Sequence, residues 1–214
     1  MMMTMTKHVL TLLAFVATIG SAVAQHTDGA VWTYTGVKFE PIKDISVEVA
    51  EEFRYNASVA DLYQSNSHAQ ISYRFTKKIK AAGEYRYSVR DGGNTHRWGF
   101  GLSFREGFGD LDIGFRTKYQ YSTAPDGGEG TAWRNKFSVD YTLNKDWAVF
   151  GSGEIFYTLS NELDQFDNQR YEAGIDFSPN KHHDLTVSYI YDHEFHVNEP
   201  QRMSILSIGY VYSF

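Results

Sequence analysis

The sequence contains no cysteine, and after its first two dozen residues it has no long apolar run. The lack of cysteine excludes a disulfide-stapled secreted fold, thiolate metal sites and a cysteine nucleophile. A membrane-spanning helix needs about 20 mostly apolar residues, so the chain downstream of its N-terminal segment has no helical span. The formal net charge of −6 indicates no basic surface for nucleic acid.

The N-terminal segment has the pattern of an export signal. A charged start and an apolar run over 9–19 are followed by the small-residue pattern Ala22-x-Ala24. A run this short does not cross a bilayer core of about 30 Å as a helix, which excludes a retained membrane anchor. We therefore predict a cleaved secretory signal peptide over 1–24 and a mature domain over 25–214. A lipoprotein is excluded because no cysteine follows the cleavage site.

Apolar side chains recur at every second residue along most of the mature chain. The segment from Leu111 to Tyr121 is the clearest, since its apolar residues alternate with Asp, Gly, Arg, Lys and Gln. Successive side chains of a strand point to opposite faces, so each such segment has one apolar and one polar face. Aromatic residues are abundant, with 15 Tyr, 15 Phe and 4 Trp, and several gather near segment ends. This pattern is typical of strands that meet lipid on one face and carry aromatic girdles.

The repeated segments predict an all-β protein. We expect a single antiparallel up-and-down transmembrane β-barrel of about 10–12 strands, with short periplasmic turns and longer extracellular loops. A soluble β-sandwich is the alternative, but its strands average about 5–6 residues, whereas these segments reach about ten. Short turns are predicted near 41–44, 76–78, 107–110, 143–146 and 179–183, and polar loops cover stretches such as 57–67 and 159–168.

The number of segments is odd. Eleven are apparent, whereas bacterial barrels normally have an even number of strands. We therefore expect ten or twelve, because either one strand escapes the pattern or the segment 31–39 is not a full strand. An odd number closed by one parallel pair is a less favoured third case. Within 31–39 the apolar parity changes between Tyr34 and Val37, which predicts a bulge at Gly36.

The last segment, Ser204–Phe214, places aromatic and aliphatic residues on one face and ends on phenylalanine. It resembles the last strand of bacterial outer-membrane barrels, in which this strand is an address for the insertion machinery. The resemblance implies that Tyr210, Tyr212 and Phe214 form a membrane-insertion signal. It also implies an integral protein of the cell outer membrane, in contact with membrane lipid and lipopolysaccharide.

The polar faces of the segments differ in charge. Bases predominate on the third to seventh segments and acids on the second and on the eighth to tenth, so the closed barrel has one basic and one acidic wall. In one interpretation the walls pair across a narrow lumen and form a packed polar core. In the other, the lumen holds water and the transverse field selects small polar or charged solutes. The predicted lumen-facing residues are Arg74, Arg86, Arg97, Arg105, Arg116, Lys118, Arg134, Glu154, Glu172 and Asp176.

Catalytic motifs are absent from the sequence, which has no Gly-x-Ser-x-Gly elbow, His-Glu-x-x-His pair or phosphate-binding loop. His182 and His183 are interpreted as solvated side chains of a turn, so neither a metal nor a cofactor is predicted. The best arrangement for general-base chemistry is Asp192, Glu194 and His196 at the outer end of the tenth segment. These are weak candidates, because any lumen wall shows alternate polar residues.

Several segments together resemble one family of outer-membrane barrels, the domain of unknown function 2490 (DUF2490). The resemblance rests on Trp32, Glu51–Asn56, Ile71–Phe75, Gly83–Tyr87, His96–Trp98 and Arg116–Tyr121. It covers most of the mature chain and implies a single barrel in the outer membrane of Gram-negative bacteria. It implies no activity and no catalytic residue.

These features favour a structural barrel or a narrow, solute-selective channel with a polar, charge-segregated lumen. The alternative is an outer-membrane enzyme that acts on lipid or peptide at the extracellular rim. A surface adhesin is a third possibility, which the short predicted loops disfavour. The sequence leaves the oligomeric state open.

Overall fold

The computed structural model describes residues 28–57, 61–125, 127–159 and 164–214, and the predicted signal peptide lies outside them. Within these residues, no helix is long and apolar enough to cross a membrane. The strands are β1 (Asp28–Ile42), β2 (Ile45–Asn56), β3 (Leu62–Arg74), β4 (Ile79–Arg90), β5 (Thr95–Phe108), β6 (Leu111–Thr123), β7 (Glu129–Thr142), β8 (Trp147–Leu159), β9 (Asp164–Asn180), β10 (His183–Glu194) and β11 (Arg202–Ser213).

The strands form one closed barrel in which each strand pairs antiparallel with the next along the chain. The predicted fold class is confirmed, but the expected even strand number is wrong. β1 pairs with β11 in parallel, from Asp28 beside Met203 to Lys38 beside Ser213. The backbone N–H of Phe214 extends this closure by donating to the carbonyl of Lys38 at 3.0 Å. A full-length β1 has backbone donors and acceptors along both edges, and the parallel partner satisfies the second edge.

Parallel closure places the start of β1 and the end of β11 at opposite ends of the barrel. The turn end carries the short connections, and Asp44 and Gly109 adopt positive φ angles of 67° and 68° there. The loop end carries the other connections and the start of β1. The predicted loops over 57–67 and 159–168 are too long, because β3 already begins at Leu62 and β9 at Asp164. Polar residues in these stretches therefore lie in strands.

The predicted bulge at Gly36 is also wrong. Pairing of β1 with β2 is continuous from Ala30 to Phe39, and the irregularity lies beyond it, between Phe39 and Ile42. Trp32 and Tyr34 point into the barrel, so a change of apolar parity along β1 needs no extra residue.

The outer surface is an apolar belt with aromatic residues near both ends. Phe100 and Ile71 are exposed over 66% and 56% of their surface, as expected for side chains that face lipid. Tyr85 packs with Trp98 towards the loop end, and Trp147 packs with Phe177 towards the turn end. The apolar exterior and polar interior make the protein a transmembrane barrel. Its belt has one charged exception in β2, Glu51, which is exposed between Thr35 and Ser67.

Parallel closure predicts that Thr33→Cys and Ile208→Cys, on directly paired positions of β1 and β11, form a disulfide on oxidation. Paired strands lie about 4.8 Å apart, within the range that a disulfide spans. The native chain has no cysteine, so the shift of the band on a non-reducing gel reports this bond alone.

Thr33→Cys with Val187→Cys is the matched control, because Val187 lies on β10, one strand further away. A crosslink in the control pair but not in the first pair would contradict the closure.

Candidate functional site

The inner face of the barrel carries the charged residues singled out from the sequence. Arg74, Arg86, Arg97, Arg105, Arg116, Lys118 and Arg134 lie on β3 to β7, while Glu154, Glu172 and Asp176 lie on β8 and β9. Several form ion pairs between strands that are not neighbours, which requires both partners on the concave side. Lys136 on β7, for example, reaches Glu172 on β9 at 3.0 Å.

A buried ion-pair cluster joins the basic and acidic walls. The guanidinium of Arg134 donates from Nη2 and Nε to the two carboxylate oxygens of Glu154, at 2.6 and 3.2 Å. Arg116 donates to Glu154 Oε1 at 2.8 Å, and Arg134 Nη1 donates to Gln120 at 3.2 Å. Arg134 and Glu154 are almost fully buried. The fork of an arginine matches the two oxygens of a carboxylate, so this cluster has a defined geometry.

A second buried pair lies within the basic wall. Lys118 Nζ on β6 donates to Glu84 Oε1 on β4 at 2.8 Å, and Lys118 is also buried. A buried charge without a partner is costly. These pairs therefore mainly offset the cost of burying the charges and do not add large net stability.

Arginine and aromatic side chains alternate across the lumen, and we call the series Arg134, Phe156, Arg170, Trp32 and Arg54 the arginine–aromatic ladder. Arg134 lies 4.2 Å and Arg170 5.4 Å from the ring centre of Phe156. Arg170 lies 5.5 Å and Arg54 3.8 Å from the ring centre of Trp32. Arginine over an aromatic face is attractive and orders both groups. The ladder reaches from β7 to β2.

The ladder continues into a hydrogen-bonded corner on β2 and β3. The indole N–H of Trp32 donates to the hydroxyl of Tyr63 at 2.9 Å. Arg54 donates to Glu52 at 2.7 Å, and Glu52 also accepts from the fully buried Asn66 at 2.8 Å. Sequence reasoning missed Trp32, Tyr63 and Arg54 as interior residues. Trp32 and Arg54 each have the same strand parity as small or polar residues of their own strand. This pattern was the available signal that both side chains point inward.

Together, the ion-pair cluster, the Lys118–Glu84 pair and the ladder form what we call the waist. Every described strand lies in the barrel wall, so the waist consists of side chains. On the turn side of the waist lies a cavity of about 450 Å³, lined by bases such as Lys80 and Arg105 and bounded by Arg116 and Lys136. On the loop side lie two cavities of about 410 and 250 Å³ that share Arg54 and Gln64 in their linings.

The three weak catalytic candidates are engaged separately. Asp192 accepts from Arg170 and, at 2.6 Å, from Asn168. Glu194 accepts from the backbone N–H of Gln201 at 3.2 Å, and His196 contacts the carbonyl of Phe166 at 3.3 Å. Among the described residues, no hydrogen bond joins His196 to either carboxylate. The structure therefore does not bring the three together as an acid–base group.

The adjacent histidines of the last turn contact the final strand. His182 Nδ1 lies 2.7 Å from the carbonyl of Ser213, and His183 Nδ1 lies 2.8 Å from the hydroxyl of Tyr210. Within the part of the chain that the structure describes, no three His, Asp or Glu side chains form a cluster that could hold a metal ion.

Comparison with known proteins agrees with this architecture. Residues 29–203 match the family described as a protein of unknown function, DUF2490. The chain belongs to this family. The sequence matches no curated protein at a significant level.

Among solved structures, the DUF2490 barrel is similar to the NanC porin, with a TM-score of 0.51 and 11% identity over 73% of this chain and 78% of that one. It is also similar to a bacterial polysaccharide outer membrane secretin, with a TM-score of 0.52 and 10% identity over 75% and 72% of the two chains. At this level of identity the similarity concerns the fold.

The waist predicts a large stability difference between two carboxylate substitutions. Glu154→Ala leaves Arg134 buried without its carboxylate and should lower the free energy of unfolding by about 3–5 kcal/mol. Asp112→Ala is the control, because the side chains of Arg105 and Asp112 remain 57% and 36% exposed, and pairs of that kind contribute about 1 kcal/mol or less.

Denaturant unfolding of both variants in detergent micelles measures the difference. Equal decreases in the free energy of unfolding of the two variants would contradict the assignment of Glu154 to a buried ion-pair cluster.

Proposed function

We propose that this barrel resides in the outer membrane of a Gram-negative bacterium and provides a narrow path for small polar solutes. Its apolar belt and its fold, which is similar to a porin, support this location. Tyr210, Tyr212 and Phe214 follow the outward parity of β11 at the turn end, and Phe214 is 76% exposed. We propose that this strand end is the segment read by the insertion machinery. The turn end would then face the periplasm and the loop end the exterior.

The observation that carries the channel proposal is the arrangement of charged cavities on both sides of a waist made of side chains. Side chains change rotamer far faster than strands rearrange, so such a waist permits transient passage. The buried ion pairs restrict this passage, because opening must separate or displace Arg134 and Glu154. A small, infrequently open conductance is the expected result.

Charge segregation gives the path its selectivity. Arg74, Lys80 and Arg105 lie on the basic side of the cavity at the turn end, while Asp176 lies on β9, within the acidic wall. Facing walls of opposite charge produce a field across the lumen that favours polar or charged solutes over apolar ones.

A permanently closed structural barrel is the second candidate, and the buried ion pairs favour it. Both candidates predict a stable barrel, and they differ in whether ions pass. An enzyme at the outer rim has less support. Asp192, a carboxylate that such chemistry would use, is already held by Arg170 and Asn168.

Removing both members of the waist pair should widen the path, and the cation that then loses its carboxylate, Arg116, is 37% exposed rather than buried. We expect Arg134→Ser/Glu154→Ser to raise single-channel conductance in a planar bilayer several-fold over the native protein. Arg105→Ser/Asp112→Ser removes the same charges near the turn end and should leave the conductance within about twofold. Silence of both the native protein and the waist variant would establish the structural barrel instead.

A further inference from the structure

The larger cavity at the loop end, about 410 Å³, is lined by three arginines, Arg54, Arg90 and Arg97. We call it the outer vestibule. Its lining also includes neutral polar side chains, Gln64 and Ser122 among them, and one carboxylate, Glu129. Cavities of about 300 Å³ and more are the usual size for small-molecule sites.

Two described carboxylates near the outer vestibule, Glu52 and Glu84, are already engaged. Glu52 accepts from Arg54, and Glu84 accepts from Lys118. Glu129, at the vestibule's edge, is paired with Thr123 and so has the strand parity of Tyr121, which belongs to the outer face of the barrel. Within the described residues, neither Arg90 nor Arg97 has a carboxylate partner.

Arg97 is the arginine best placed to take an anion. It is only partly exposed, and its charged surroundings are dominated by Arg86, Arg134 and Arg54. Its Nε donates to the hydroxyl of Ser122 at 3.2 Å, which fixes the plane of the guanidinium. Among the described residues no other acceptor is bound to it. A guanidinium has five N–H donors, so the Nη groups are free to bind two oxygens of a carboxylate.

The neutral groups of the vestibule indicate what the rest of the ligand carries. The hydroxyl of Ser122 accepts from Arg97 and so retains its own hydrogen to donate, and Gln64 presents an amide. Such groups suit the hydroxyls of a sugar. An anion with an apolar body would leave them without partners, which is costly in a partly enclosed site.

We propose that the outer vestibule binds hydroxylated carboxylates of about monosaccharide size, with the carboxylate held by Arg97 and Arg90. This inference rests on the proposed function, because it names the solute class that enters the path. Binding at the vestibule does not require the waist to open, so the two proposals fail separately.

Calorimetric titration of the detergent-solubilised mature protein with glucuronate, and with glucose as the neutral match, tests the proposal. Glucuronate should bind at least tenfold more tightly than glucose, and added salt should weaken it, because the attraction between exposed charges is screened. Equal affinity for the two sugars, or no measurable heat with glucuronate, overturns the proposal. This comparison needs no variant and is independent of any effect on folding.

Substitutions then locate the site. Arg97→Gln should weaken glucuronate binding at least tenfold, and Arg97→Lys should restore only part of the affinity, since an ammonium lacks the two-pronged geometry. Arg90→Gln should also weaken binding, whereas Arg105→Gln, on the far side of the waist, should leave it unchanged. Unchanged affinity in both Arg97→Gln and Arg90→Gln overturns the proposal.

Binding without conductance in bilayers leaves this inference standing and overturns only the channel. Conductance without glucuronate binding overturns this inference and leaves the channel proposal unaffected.

Discussion

The structure depends on pairing charges that the barrel wall forces inward. A closed ring of alternating strands sends every second side chain into a confined interior, where a lone charge is costly. Glu154 meets this constraint by binding Arg134 and Arg116 together. Lys118 with Glu84 and Lys136 with Glu172 follow the same rule. The waist is therefore a consequence of packing charged side chains in a narrow barrel.

Charge balance also explains why the two ends of the lumen differ from its middle. Near the waist each acid meets a base, and the partners become buried. Towards the loop end Glu52 is bound by Arg54 and Glu84 by Lys118, while Arg90 and Arg97 have no carboxylate partner among the described residues. Positive charge is thus concentrated at the outer vestibule. The charge segregation that allows ion pairing at the waist therefore also leaves arginines at the outer vestibule.

Local alternation was enough to predict the fold class and to assign Arg116 and Lys118 to the inner face. It was not enough to predict partners, because pairing between inward side chains of different strands depends on strand register and tilt, which no single segment encodes. Arg134 and Glu154 meet only because β7 and β8 pair in one register. The closure of the barrel is also non-local, because the sequence of β1 alone does not indicate that β11 pairs with it. Trp32 was not predicted as an interior residue, because aromatic side chains occur on both faces of this barrel.

A waist of paired charges separates the cavity at the turn end from the two cavities at the loop end, and thiol accessibility tests this separation most directly. The native chain has no cysteine, so one introduced cysteine is the only thiol present. A cysteine in place of Ser122 reports the loop side of the waist, and a cysteine in place of Ser138 reports the turn side. In vesicles with the loop end outward, a bulky charged thiol reagent added outside should modify Ser122→Cys and spare Ser138→Cys. Modification of both at similar rates would show an open lumen and contradict the account.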